Sequence, residues 1–108
     1  NIINAETLEY FPTGAIITNS ARGDMIDDKA MIDALNKRKI YALGLDVYKG
    51  EPNLNPGYLN IKDVFILPHL GSATKETRTA MANLAIDNLD EFFKTGNCKN
   101  KVNWLSQI

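Results

Sequence analysis

A single cysteine, Cys98, and a single histidine, His69, are all the chain offers of those two residue types. One cysteine excludes an internal disulfide and points to a reducing compartment, so a cytoplasmic location is expected. No Cys-x-x-Cys pair or His/Cys cluster is available to hold zinc, and no metal site is expected. An excess of charge of either sign is missing too: 12 Lys+Arg against 13 Asp+Glu leave a net charge of −1. That balance gives no electrostatic case for nucleic acid or an anionic membrane. No apolar run approaches the roughly 20 residues needed to span a bilayer, and no secretory signal pattern occurs. An initiator methionine is also missing. The chain opens in Asn1-Ile2-Ile3-Asn4, as expected of a fragment of a longer protein.

What remains is ordinary for a globular domain: 108 residues, 44% of them hydrophobic and 23% charged, enough for one hydrophobic core. Asn4 is placed to cap a short helix through Glu6, Leu8 and Phe11, ending before Pro12. An apolar run, Ala15 to Thr18, reads as a strand. Asp27 or Asp28 caps a second helix with Met31, Ala34 and Leu35 at helical spacing and Lys37, Arg38 and Lys39 in its last turn. Tyr41 to Val47 is the next strand, which completes a strand–helix–strand unit of the length of a parallel crossover. Residues 49–62 are rich in Pro, Gly and Asn and read mainly as loop. A third strand at 63–67 leads to a long helix from about Thr74 to Lys94, with Gly96 as its C-cap. Val102, Trp104 and Leu105 in the tail are expected to dock on another surface. The strands look apolar enough to be buried on both faces, which argues a parallel α/β sheet.

Each strand ends in a loop that delivers one reactive side chain: Arg22, Glu51 and His69. Open α/β sheets bind ligands at the carboxyl ends of their strands. A guanidinium grips a carboxylate in a bidentate fashion. A histidine passes a proton near neutral pH, and a carboxylate beside it stabilises the imidazolium. Together the three suit reduction of a 2-oxo acid, with Arg22 holding the substrate and His69 protonating the new alkoxide. Spacing alone leaves plainer readings open: a packed or surface histidine, a solvated loop arginine and a surface carboxylate. Asp46, near the end of an apolar strand, is expected to be at least partly buried and to need partners there.

The three loops also resemble the signature loops of a known family. Asn19-Ser20-Ala21-Arg22-Gly23 with Asp27, Gly44-Leu45-Asp46-Val47-Tyr48 running to Glu51-Pro52, and Leu67-Pro68-His69-Leu70-Gly71-Ser72-Ala73-Thr74 are similar to those of the D-isomer-specific 2-hydroxyacid dehydrogenases, in order and spacing. The last segment, with Thr77-Arg78, Met81, Leu84-Ala85 and Asn88-Leu89, is most similar to the glyoxylate/hydroxypyruvate reductase branch. The resemblance implies that Arg22 binds the 2-oxo acid, that His69 is the acid/base and that Glu51 is its partner. It further implies that Ala21, Arg22, Asp46, His69, Gly71 and Ser72 line the nicotinamide end of an NAD or NADP site.

In fold, the resemblance implies the C-terminal part of a Rossmann-like doubly wound parallel sheet over residues 1–73. Residues 74–108 would form the return helix and tail that lead toward the substrate domain, leaving the helix's apolar face partly orphaned. The family's Gly-x-Gly-x-x-Gly turn is absent, since no two glycines are even two residues apart. The expectation is therefore a fragment of a reductase that turns glyoxylate or hydroxypyruvate into the D-2-hydroxy acid, the parent being a homodimer. The isolated chain is expected to have little or no turnover. Two rival readings are a non-enzymatic, corepressor-like relative that binds partners and an independent scaffold or dimerisation module.

Overall fold

In a computed structural model that describes residues 1–102, Asn4 starts the first helix with a reciprocal cap. Its side chain accepts the Thr7 N–H at 3.0 Å while the Thr7 hydroxyl accepts the Asn4 N–H at 2.9 Å, so two otherwise orphaned donors satisfy each other's residues. The helix, α1 (Ala5–Glu9), stops two residues short of the expected Phe11, and Leu8 is its one buried side chain. Strand β1 (Ala15–Asn19) follows, then a single 3-10 turn at Gly23–Met25.

Helix α2 (Asp28–Asn36) is capped by Asp27, whose carboxylate accepts the Ala30 N–H at 3.1 Å. Met31, Ala34 and Leu35 form its buried face, as their spacing predicts. The helix does not run on through Lys39. Arg38 takes a left-handed φ of 59°, and the N–H groups of Arg38 and Lys39 turn back to the carbonyls of Leu35 and Ala34. That closure satisfies the terminal carbonyls, with an arginine where glycine is usual.

Strands β2 (Ile40–Leu45) and β3 (Val64–Ile66) complete a three-stranded parallel sheet in the order β1-β2-β3. The parallel α/β reading of the sequence thus holds. The expectation that both faces of the strands are buried does not. Ile17, Leu43 and Leu45 face the core beneath α2, whereas Ile16 and Phe65 on the opposite face are 67% and 66% exposed. Within the first unit α2 covers one face, and the strands alternate in burial although their sequences are almost continuously apolar.

Between β2 and β3 the long connection contains one 3-10 turn, Pro56–Tyr58, and is otherwise irregular. It is anchored by Tyr58, 2% exposed, whose hydroxyl donates to Asp28 at 2.8 Å. Burial pushes the Tyr58 hydroxyl well above its ordinary pKa, which keeps it a donor. Met31, Ile40 and Leu43 are essentially inaccessible around it. Burying a side chain of this size contributes about 1.5–3 kcal/mol.

The chain divides into two compact units, the first spanning Asn1–Gly71 and the second beginning at Ser72. In the second, Thr74 caps α3 (Lys75–Thr95) by accepting the Thr77 N–H at 3.1 Å, and Gly96 ends it in the left-handed conformation. No side chain of α3 is buried: Met81, Leu84 and Leu89 are more than half exposed. Val102 is exposed. Trp104 and Leu105 of the expected docking tail lie outside the described residues. Among the described residues, no helix is long and apolar enough to cross a membrane.

Candidate active site

Three loops leave the carboxyl ends of the parallel strands, and main-chain hydrogen bonds tie each to the next. The Asp46 N–H donates to the Asn19 carbonyl at 3.0 Å, the Leu67 N–H to the Leu45 carbonyl at 2.8 Å, and the His69 N–H to the Asp46 carbonyl at 3.0 Å. The sheet ladder therefore continues past the strands into the loops. A crevice of 180 Å³ opens here, lined among others by Thr18, Asn19, Gly44, Asp46 and Phe65.

The central contact is between the second and third loops. Nδ1 of His69 lies 2.8 Å from Oε2 of Glu51, while Oε1 of the same carboxylate accepts the Tyr48 main-chain N–H at 3.1 Å. Glu51 is thus fixed from both sides. The His69 contact, and after it the Tyr48 N–H, hold its carboxyl below the usual carboxylate range. With Nδ1 committed to Glu51, Nε2 is the ring nitrogen left to meet a ligand, and the His69 side chain is 50% exposed.

His69 itself sits at φ 58°, in the left-handed region. Gly71, two residues on, lies outside that region, so it is the histidine and not the glycine that takes the unusual conformation. A non-glycine residue there costs on the order of 1–3 kcal/mol and persists only where its surroundings enforce it. The enforcement comes from Asp46. Its Oδ1 accepts the Leu70 N–H at 2.6 Å and its Oδ2 the Gly71 N–H at 2.8 Å. Asp46 is half-buried, and these two donors are the partners such a carboxylate requires.

The first loop is shaped by two residues to which sequence reasoning gave no role. Asn19, 8% exposed, accepts the Ala21 N–H at 3.0 Å and donates to the Arg22 carbonyl at 2.9 Å, closing the turn that presents Arg22. Gly23 lies so close to the second loop that a Cβ would come within 2.3 Å of the Tyr48 carbonyl carbon. The Asn-Ser-Ala sequence after an apolar run is the one local signal for the first of these. The second depends on a neighbour 25 residues away and leaves no local trace.

The seven expected residues are therefore not placed alike. Glu51 and His69 are in contact, and Asp46 and Gly71 are bonded to each other. Arg22 is exposed, and its Nη1 donates to the Ala21 carbonyl at 2.7 Å. Its described hydrogen bonds include none to His69 or Glu51, and a guanidinium with five N–H donors keeps others free. Ala21 is held by Asn19, and Ser72 belongs to the second unit.

Comparison with known proteins bears on this arrangement. Relatives include a 2-ketogluconate reductase of Gluconobacter oxydans, 42% identical over 93 residues, which are 86% of this chain and 30% of that protein. They also include a glyoxylate/hydroxypyruvate reductase B of an Enterobacter species, 42% identical over 104 residues, 95% of this chain and 32% of that protein. Among solved structures, an NADPH-dependent glyoxylate/hydroxypyruvate reductase from Sinorhizobium meliloti, in complex with NADP and malonate, superposes with a TM-score of 0.88 at 37% identity. The match covers 93% of this chain and 31% of that one. The chain spans about a third of the length of the curated relatives it matches. Residues 1–71 match the family described as D-isomer specific 2-hydroxyacid dehydrogenase, NAD binding domain, and to that family the chain belongs.

Proposed function

We propose that this chain carries the acid/base and substrate-gripping residues of an NAD(P)H-dependent reductase of a small 2-oxo acid, glyoxylate or hydroxypyruvate. The observation that carries the reading is the His69–Glu51 pair at 2.8 Å, at the carboxyl ends of parallel strands, in a chain of this family. The named relatives support the substrate class.

The residues fit a nicotinamide at the strand ends. The crevice is bordered by apolar Phe65 and Leu67 and by the Asp46 carboxylate, whose oxygens each retain acceptor capacity beyond one N–H. Ala21, Arg22, Asp46, His69, Gly71 and Ser72 would hold that end of the coenzyme. When bound, NAD(P)H supplies the hydride. The chain's own residues supply the rest of the chemistry. Arg22 grips the carboxylate of the 2-oxo acid and sets a fixed positive charge beside its carbonyl. Nε2 of His69 donates the proton that completes the alcohol, and Glu51 stabilises the charged ring until it does so. In the oxidative direction the neutral ring takes that proton back. The product is the D-2-hydroxy acid, as the family description suggests.

The same proposal carries the parent as a cytoplasmic homodimer, supported by the lone cysteine and the family resemblance. The test is coenzyme oxidation by the whole protein on addition of glyoxylate or hydroxypyruvate. Oxidation supports the reading. Coenzyme binding with neither substrate reduced overturns it in favour of a corepressor-like role.

A further inference from the structure

We propose that Asp46 is a positioning residue: its three acceptor oxygens hold the main chain of residues 69–71 so that the His69 ring is presented to Glu51. The inference rests on the reading of His69 as the proton donor, but its test needs neither substrate nor turnover.

Three consecutive N–H groups, those of His69, Leu70 and Gly71, end on one residue, through the Asp46 carbonyl and both carboxylate oxygens. A main chain held at three successive donors cannot relax His69 out of its left-handed φ of 58°. From that conformation the ring reaches Oε2 of Glu51. The other half of the pair is anchored from the same stretch of chain, because Tyr48, two residues beyond Asp46, donates its N–H to Oε1 of Glu51. The segment 46–51 thus fixes both partners. Gly71 permits the close approach: a Cβ there would stand 3.1 Å from Oδ2 of Asp46, and the residue lies outside the left-handed region.

An alternative role for Asp46, contact with the coenzyme alone, makes a different demand. It requires the carboxylate but not the clamp. Asp46→Asn separates the two. An amide can accept one of the Leu70 and Gly71 N–H groups but meets the other with a donor of its own. Gly71→Ala provides the complementary variant, because it crowds the clamp while leaving the Asp46 charge in place.

The experiment is a carboxyl NMR titration of Glu51 in the 108-residue chain, with the ring nitrogens of His69 observed in parallel. His69 is the only histidine, so its ring signals need no assignment. The Asp46 charge on its own raises the Glu51 pKa, whereas the His69 contact lowers it. The two consequences of Asp46→Asn therefore have opposite signs. If Asp46 positions His69, the Glu51 midpoint rises toward the usual carboxylate range and the Nδ1 hydrogen-bond signature is lost. If Asp46 acts only through its charge, the midpoint falls and the signature stays, which overturns the proposal. Should Asp46→Asn fail to fold, Gly71→Ala decides: a raised Glu51 midpoint supports the clamp, and an unchanged one overturns it. His69→Gln turnover in the whole protein tests the catalytic reading separately.

Discussion

His69 and Glu51 meet at 2.8 Å through Nδ1 and Oε2, and both side chains remain reachable by solvent, 50% and 30% exposed. The contact takes up Nδ1 and leaves Nε2 as the other ring nitrogen. Glu51→Gln keeps the size of the side chain and removes its charge. Reduction by the whole protein is expected to slow by about tenfold or more, within the range general acid–base groups contribute, with KM for the 2-oxo acid little changed. A steady-state comparison checks this, and a loss confined to KM would contradict the role given to Glu51.

The pH dependence of the pair has a definite sign. The hydrogen bond from His69, then that from Tyr48, depresses the folded-state pKa of Glu51. Its contribution is therefore present above the ordinary carboxylate pKa and is lost as pH falls through the depressed value. Carboxyl NMR of the wild-type chain should give a midpoint below the usual range, and His69→Ala should raise it. A wild-type midpoint at the usual value would contradict the contact.

Gly23→Ala tests the junction of the first two loops. The new Cβ would lie 2.3 Å from the Tyr48 carbonyl carbon and 2.4 Å from the Lys49 nitrogen, both backbone atoms that cannot swing aside. Unfolding by denaturant should show a loss of about 1–3 kcal/mol, the usual cost of overpacking. Wild-type stability would mean that the two loops are not in this contact.

Much of the local structure was legible because it rests on local chemistry. Asn4, Asp27 and Thr74 cap their helices through bonds to residues three positions on, and Gly96 ends α3, all within reach of a sequence reading. The buried face of α2 followed from spacing alone. The one-sided sheet did not, because a run such as Ala15-Ile16-Ile17 is equally apolar whether one face is covered or two. The site divides in the same way. Its three loops were readable as strand-to-turn transitions. The Asp46 clamp and the Gly23 approach join residues about 25 positions apart, and only folding brings those together.

Tyr58→Phe removes the one hydrogen bond between the buried tyrosine and Asp28 without changing the packing. The expected loss is about 1–2 kcal/mol, since the Asp28 carboxylate loses a donor in a partly buried place. Thermal or denaturant unfolding measures it. An unchanged stability would show that solvent replaces the tyrosine hydroxyl at no cost.

The 108 residues contain no Gly-x-Gly-x-x-Gly turn to receive a pyrophosphate. A rigorously pure preparation of this chain is accordingly expected to oxidise no NAD(P)H in the presence of glyoxylate. Measurable turnover would contradict the premise that productive coenzyme binding needs such a turn.

The rate of NAD(P)H oxidation by the whole protein, wild type beside His69→Gln, tests the central claim most directly, with glyoxylate and hydroxypyruvate as substrates and coenzyme binding followed separately. The expected result is turnover by the wild type and a fall of about 10²–10⁴-fold in the variant, with coenzyme binding retained. A variant as fast as the wild type would contradict the assignment of His69 as the acid/base.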